Sequence, residues 1–520
     1  MPSCQRHVVR IRRSVLCLAF ILAVVAASGT RAAPVAACAD LAKISFAGIP
    51  DAPTAILSAT LVAASDKLPA YCRVRGTVIS HVGFELRLPL DAWNGKFFMQ
   101  GCHGYCGQIE IDDADDALAR GYATAATDLG HSGTPSDPIW AYNNRDAEID
   151  FGFRATHVVA VASKAIVEVF QGKAPDFSYF RGCSDGGREG LVEAERFPVD
   201  FNGIVAGAPS AFKSSALSTY WTAMANLDVN KHALLTPQLV YLLRGAVMAK
   251  CDALDGLKDG ILEDPRQCNF DPAELACKGF AVGGFVSRSD CLTPVQVEAA
   301  KKIYDGPVTS DGASLTAGGQ TLGSELNWLG DIVAADGGPG TNLKLAEENF
   351  RYFAFAEDPG PAYRVEQFNL DRDAERLNFM QQLVTGFNPD LRRFRDRGGR
   401  LVLYQGWQDG SASNTVDFYD TATETLGGED DTLPFFRLFM VPGMNQCAGG
   451  PGVNTFDLLS VIEDWVEFGK APDSMLGTHR DENGTLGFSR PVYAYPNFAR
   501  YDGNKDRVAP EAFKRQTPKP

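Results

Sequence analysis

Gly182-Cys183-Ser184-Asp185-Gly186 fits Gly-x-Ser-x-Gly, a spacing that suits a nucleophilic serine when it falls between a strand and a helix. The glycines permit a tight, strained turn, and the turn lifts the serine hydroxyl to the upper edge of a sheet with a helix N-terminus behind it. An ordinary Gly-rich turn carries the same letters, so the setting decides. Such a serine needs an acid and a base, which in this arrangement follow it in chain order, each from a loop after a later strand. Asp409, directly after "RLVLYQGWQ", stands where the acid belongs, although an aspartate in a Gly-flanked turn is the plainer reading. The loop after "FFRLFMVP" is where the base belongs, and it holds Gln446. Histidine accepts a serine proton because it titrates near neutrality; a glutamine amide can orient a hydroxyl but cannot take its proton.

The elements that must position these residues alternate between strand and helix from about residue 84. "KFFMQG" (96–101) and "YATAATDLG" (122–130) read as buried strands, and 153–170 as a helix with apolar residues at helical spacing. "FSYFRGCSDGGREGLVEAERF" reads as strand, sharp turn and helix, followed by the strand "GIVAGAP" (203–209). Short strands separated by helices imply a mostly parallel sheet covered on both faces. From roughly 211 to 390 the rhythm breaks into Gly-rich loops, four cysteines and scattered helical segments. It returns with "RLVLYQGWQDG", a helix near 415–425, "FFRLFMVPG" and a helix over 456–469. The expected division is therefore a leader at 1–32, a first core part at 33–210, a lid domain at 211–390 and a second core part at 391–520.

The leader is read from Arg6, Arg10, Arg12 and Arg13 preceding an apolar run from Val15 to Ala27 and then small residues. The run is short for a membrane span and nothing later is long and apolar enough to be one, so a soluble, secreted or periplasmic mature chain is expected. "VAAC" ending at Cys38 resembles a lipoprotein cleavage site but lies ten residues past the apolar run. The stretch through Ala32 carries five arginines and no acid, so its removal takes the formal charge from −15 to −20. Such a surface argues against nucleic-acid or anionic-membrane partners. Ten cysteines remain after Cys4 and Cys17 leave with the leader. An even count in an exported chain favours disulfides over redox or metal chemistry, and spacing alone leaves the pairing open. If Cys183 and Cys447 are joined, their neighbours Ser184 and Gln446 must face each other, because bridged Cα atoms lie about 4.4–6.8 Å apart.

In "CDALDGLKDGILEDPRQC" (251–268), Asp252, Asp255 and Asp259 can gather oxygens around one hard cation, with loop carbonyls completing the shell. The spacing is not that of an EF-hand, and a solvated acidic turn fits as well. Among the aromatics of the lid, Trp221, Trp328, Phe350, Tyr352, Phe353 and Phe355 read mostly as core, with some available to line an aromatic pocket.

Taken together, "YCRVRG", "WNGKFFMQGCHGYCG", "TDLGHSG", "DFGFRATH", "YFRGCSDGGREGLVEAERFPVDFNGIVAGAPS", "CDALDGLKDGILEDPRQC", "YQGWQDG" and "FMVPGMNQCAGGPG" resemble the tannase and feruloyl esterase family of α/β hydrolases, which includes mono(2-hydroxyethyl) terephthalate hydrolases. The matching stretches run in order from about residue 38 to 470. The resemblance implies an α/β-hydrolase fold with a large inserted lid and a serine carboxylic ester hydrolase acting on small aromatic or phenolic esters of feruloyl, galloyl or terephthalate half-ester type. It makes Ser184 the nucleophile and Asp409 the acid, and it makes the backbone N–H of Asp185, with that of the 101–104 loop at Cys102, the oxyanion donors. It implies a bridge between Cys183 and Cys447, and a structural Ca2+ on Asp252, Asp255, Asp259 and the carbonyls of Leu257 and Ile261, with Cys251 and Cys268 closing that loop. The other cysteines pair as Cys38 with Cys72, Cys277 with Cys291, and Cys102 with Cys106.

The family pattern has Gly-Met-x-His-Cys where this chain has Gly443-Met444-Asn445-Gln446-Cys447. Hydrolysis is therefore expected to be impaired. The alternatives are a catalytically silent relative that binds aromatic esters or acids, and an introduced His-to-Gln change in an otherwise active enzyme. Of the remaining histidines, His131 in "DLGH" is expected to be structural and His479 to lie in a hydrophilic surface run. His103 interrupts "QGCHGYCG", where the family pattern usually has glycine, and is the candidate for a partial substitute base.

Overall fold

The computed structural model describes residues 34–278, 290–481, 483–503 and 505–518. The expected leader lies outside the described residues. Nine strands form the main sheet: β1 (Thr54–Val62), β2 (Tyr71–Val78), β3 (Val82–Pro89), β4 (Lys96–Gln100), β5 (Ala123–Thr127), β6 (Phe177–Cys183), β7 (Gly203–Gly207), β8 (Arg400–Gly406) and β9 (Phe436–Val441). Their order is β1-β2-β3-β5-β4-β6-β7-β8-β9. Along that order β5, β4, β6, β7, β8 and β9 pair in parallel, while β2 pairs antiparallel with β1 and β3, and β3 antiparallel with β5.

The parallel part follows from composition. "ATAAT" and "GIVAG" are buried at every position, as strands covered on both faces must be. The helix Ala155–Gln171 buries Ala155, Val158, Val159, Ala162, Ile166 and Phe170, an apolar stripe at steps of three and four that lies against the sheet. The antiparallel edge is an addition to the sequence reading. In β1 most positions are exposed or half-buried, so "TAILSATLV" lacks a run of core residues by which to recognise it.

In-register pairing aligns the strand ends. Gln100 pairs with Arg181, Cys183 with Gly207, Gly207 with Tyr404 and Gly406 with Val441. The loops after β4, β6, β8 and β9 consequently leave the sheet at one edge, the carboxyl edge where open α/β sheets place their ligands.

Among the described residues, the segment between β7 and β8 contributes no strand to the main sheet. Leu239, Val240, Leu243, Ile303 and Trp328 form a buried cluster of their own there. Phe350, Phe353, Phe355 and Phe368 instead belong to the same apolar cluster as Leu86 of β3 and Ala125 of β5, so this insertion is fused to the main core along part of its length. After the helix Leu458–Phe468 no strand among the described residues joins the main sheet. The chain forms a hairpin, β10 (Ser474–Arg480) with β11 (Leu486–Tyr493), and a second pair, β12 (Phe498–Tyr501) with β13 (Phe513–Gln516).

All five expected disulfides are present: Cys38–Cys72, Cys102–Cys106, Cys183–Cys447, Cys251–Cys268 and Cys277–Cys291. No helix among the described residues is long and apolar enough to cross a membrane.

Candidate active site

Ser184 sits between the end of β6 and the helix Asp185–Arg196 with φ 61° and ψ −114°. A non-glycine residue held there stores roughly 1–3 kcal/mol of backbone strain, which the surroundings must offset. They do so with three main-chain bonds: Ser184 N–H donates to Gly207 C=O at 2.9 Å, and Ser184 C=O accepts from Arg188 N–H at 3.1 Å and Ser210 N–H at 3.2 Å. The flanking glycines are required by space. A Cβ on Gly182 would stand 2.5 Å from the Gly186 carbonyl, and one on Gly187 2.1 Å from the Gly207 oxygen.

The disulfide Cys183–Cys447, with Cα atoms 5.9 Å apart, ties the elbow to the loop after β9. Beside it, Gln446 Nε2 donates to Ser184 Oγ at 3.1 Å. The glutamine thus meets the serine as a donor, engaging an oxygen lone pair that a basic nitrogen would leave free.

Asp409 lies in the loop after β8. Its carboxylate accepts from Gln405 Nε2 at 2.7 Å, Ser411 Oγ at 2.9 Å and Ser411 N–H at 3.1 Å. Gln405 is fully buried and is itself oriented by Thr415 Oγ1 at 2.9 Å. Burial pushes the Asp409 carboxyl above the usual carboxylate range, against the pull of these three donors. Gln405 and Ser411 were not singled out from sequence; their closeness to Asp409 in the chain was the available signal.

The oxyanion expectation requires a correction at Cys102. Its backbone N–H donates to Glu189 Oε1 at 2.9 Å and is therefore engaged. The reason is the burial of Glu189 on the elbow helix: a carboxylate there must find donors, and it takes Cys102 N–H and Thr156 Oγ1, the latter at 2.6 Å. Cys102 C=O accepts from Gly186 N–H at 2.9 Å, so the loop is pinned to the helix from both sides of one residue. Burial, with repulsion from Asp185, pushes the Glu189 carboxyl up to about 7. Asp185 forms a two-point ion pair with Arg188, Oδ1 to Nε at 2.5 Å and Oδ2 to Nη2 at 2.9 Å.

Among the described residues, the N–H and Nδ1 of His103 hydrogen-bond to Glu110, and no bond joins His103 to Ser184. Its Nδ1 lies 2.7 Å from Glu110 Oε2 and 3.8 Å from Asp113 Oδ2, and its N–H donates to Glu110 at 3.0 Å. The Glu110 hydrogen bond raises its pKa and favours imidazolium, the form unable to accept a proton. His131 stacks on Trp140 with centroids 3.8 Å apart and reaches Tyr105 C=O through Nε2 at 2.8 Å, a packing role. His479 stacks on Phe488 in the C-terminal hairpin, with Nδ1 2.7 Å from Gly452 C=O.

Ser184, Asp409 and Gln446 open into one cavity of about 760 Å³, whose apolar wall includes Phe151, Phe212, Leu345 and Phe353. In the lid, Asp252 Oδ1 accepts from the N–H groups of Asp259 (3.2 Å) and Gly260 (2.8 Å), and Asp255 Oδ1 from Leu257 N–H (2.9 Å). Asp259 Oδ1 accepts from Ile261 N–H at 3.1 Å, and its Oδ2 from Arg490 Nη2 of the hairpin. Asp255 Oδ2 is buried without a hydrogen-bond partner. Burial, with repulsion from Asp259 and Asp252, pushes Asp255 up to about 6. A hard cation would satisfy the orphaned oxygen of Asp255, but the three carboxylates are not gathered within 4.8 Å of one another. Arg490, over 200 residues along the chain, gave no sequence signal for its place here. A second group, His157, Glu193 and Asp200, has Lys164 Nζ 2.9 Å from Asp200 C=O and so already holds a cation.

A serine elbow at the carboxyl edge of a mostly parallel sheet, with the next strand loops converging on it, defines the α/β-hydrolase class. The family model described as tannase and feruloyl esterase matches residues 67–515, and the chain belongs to that family. It is 36% identical to mono(2-hydroxyethyl) terephthalate hydrolase of Piscinibacter sakaiensis, over 86% of this chain and 85% of that protein. It is 32% identical to a probable feruloyl esterase B-2 of Aspergillus flavus, over 79% and 80% of the two chains. Among solved structures, feruloyl esterase B from Aspergillus oryzae superimposes with a TM-score of 0.78 at 27% identity, covering 92% of this chain and all of that one.

Proposed function

We propose that this chain is an exported serine carboxylic ester hydrolase for aromatic esters whose turnover is held down by Gln446. The observation that carries this reading is the bond from Gln446 Nε2 to Ser184 Oγ at 3.1 Å beside the Cys183–Cys447 bridge, which puts an amide where the base would act. Ser184 Oγ attacks the ester carbonyl, the proton must leave Oγ as the C–O bond forms, and the alcohol departs to give an acyl-serine that water then cleaves. Asp185 N–H, at the start of the elbow helix, stabilises the oxyanion; with Cys102 N–H engaged by Glu189, the second donor is assigned to Gly104, whose backbone lines the cavity. Asp409 would orient and stabilise an imidazolium. With glutamine in that place the proton has no acceptor of suitable pKa.

The same bond favours a second reading, a relative that binds aromatic esters or acids without turning them over, because a donated amide N–H suits holding a ligand and the serine more than activating either. Ca2+ is assigned to Asp252, Asp255, Asp259 and the Leu257 and Ile261 carbonyls, where it would brace the lid loop closed by Cys251–Cys268; no step of the reaction passes through it.

Intact-protein mass spectrometry after mixing with an activated aromatic ester tests the nucleophile. The Gln446→His variant is expected to gain one acyl group that Ser184→Ala in the same background does not gain. Acylation surviving that removal would assign the chemistry elsewhere.

A further inference from the structure

Between β4 and β5 the chain passes through the acidic run "EIDDADD" (110–116). Three of its five acids face arginines: Asp112 and Asp115 meet Arg87 at 2.5 and 2.8 Å, and Asp116 meets Arg181 at 2.9 Å. Glu110 and Asp113 have no lysine or arginine partner among the described residues, and both approach one imidazole. His103 Nδ1 is 2.7 Å from Glu110 Oε2 and 3.8 Å from Asp113 Oδ2.

The backbone brings these two acids together. Ile111–Ala114 is a 3-10 turn, in which residues three apart eclipse, so Glu110 at its start and Asp113 within it share a side. Opposite them, His103 N–H donates to Glu110 Oε2 at 3.0 Å, and the Cys102–Cys106 bridge closes the loop in which His103 stands.

Among the described residues, three groups bring at least three metal-ligating atoms within 4.8 Å of one another. In one, Cys102 and Cys106 are already joined to each other beside Asp185 and Glu189. In another, of His157, Glu193 and Asp200, Lys164 Nζ lies 3.4 Å from the Asp200 carboxylate. The remaining group is His103, Glu110 and Asp113. Its side chains are 43%, 24% and 52% exposed, so an ion arriving from solvent can reach them.

The donor set selects the ion. One imidazole nitrogen with two carboxylate oxygens suits Zn2+ and its first-row neighbours, whereas Ca2+ and Mg2+ take oxygen ligands. A dication also balances the two carboxylates that no arginine neutralises. Three protein ligands leave the fourth tetrahedral position to water.

We propose that His103, Glu110 and Asp113 form a binding site for a divalent transition-metal ion of the Zn2+ kind, distinct from the aspartate loop of the lid. The site stands at the rim of the cavity, one residue before Gly104, which lines it. It is independent of the esterase reading, and no step of ester cleavage passes through it.

The test is titration calorimetry with ZnCl2 on the unaltered, untagged chain, stripped with chelator and then held in excess Ca2+. Mildly alkaline buffer is used because a ligand nitrogen must be unprotonated. About one Zn2+ per chain should bind at this site. His103→Gln should weaken that binding by about tenfold or more, since loss of an outer partner of a metal ligand already costs as much. Asp113→Asn, which removes a side chain with no other partner than the imidazole, should weaken it several-fold, and Asp255→Ala in the lid should leave it unchanged. Circular dichroism confirms that each variant is folded. No Zn2+ uptake by the unaltered chain, uptake that folded His103→Gln and Asp113→Asn both retain in full, or uptake lost in Asp255→Ala would overturn the site.

Discussion

Gln446 Nε2 and Ser184 Oγ, 262 residues apart in the chain, stand 3.1 Å apart next to the bridge that joins their neighbours Cys183 and Cys447. The disulfide limits covalently how far Ser184 and Gln446 can separate. That relation makes several outcomes measurable.

Removing the bridge should separate function from mere stability. In a Gln446→His background, Cys447→Ser is expected to lower kcat by about tenfold or more, since a 1 Å displacement of a reacting group already costs that much or more. It should also lower the unfolding free energy by about 2–4 kcal/mol. Unchanged kcat at equal folded fraction would mean that loop packing alone positions residue 446.

Asp409 should matter only when there is an imidazole to orient. Asp409→Asn is expected to reduce kcat by about 10⁴ in the Gln446→His background and to leave the residual rate of the unaltered chain nearly as it was. Equal losses in both backgrounds, measured as a double-mutant cycle, would contradict that role.

Glu189 predicts a pH dependence with a definite sign. Its carboxyl is raised from 4.5 to about 7, chiefly by burial, so the folded chain holds this proton more tightly than the unfolded one. The stabilisation is fully present below about 4.5 and is lost as pH rises through about 7, up to about 3 kcal/mol for this group. Denaturant unfolding of the parent and of Glu189→Gln across pH 4.5 to 8 should show a smaller decline in the variant. Parallel curves would exclude Glu189 as a source of the slope.

The acidic loop of the lid should respond to chelation. Removing Ca2+ is expected to lower the melting temperature by roughly 5 °C, and Asp255→Ala should abolish that response. Identical melting of parent and variant with and without chelator would argue that Arg490, which already bonds Asp259, is the only cation the loop needs.

Legibility in the sequence tracked the range of the interactions. The elbow could be read because its signal is local: a buried strand, glycines without room for a Cβ, and an amphipathic helix within about 20 residues. The loops of Asp409 and Gln446 were legible because each directly follows a buried strand. The antiparallel edge was not, since β1 shows too little buried surface to stand out. "GTHRDENG" read as a hydrophilic surface run, yet its first half belongs to β10, which buries Met475 and Gly477 and leaves its polar positions outside. The failure at Cys102 is of a different kind. The Cys102 N–H is taken by the buried Glu189 carboxylate, whose other oxygen is held by Thr156 on another helix.

The central claim, that the site is intact except for its base, is tested most directly by kcat/KM on a chromogenic aromatic ester for the unaltered chain and for Gln446→His, with Ser184→Ala in the second background as the blank. The account predicts a gain of about 10³-fold or more that the serine substitution abolishes. A gain below about tenfold in a folded variant with the Cys183–Cys447 bridge formed would contradict it.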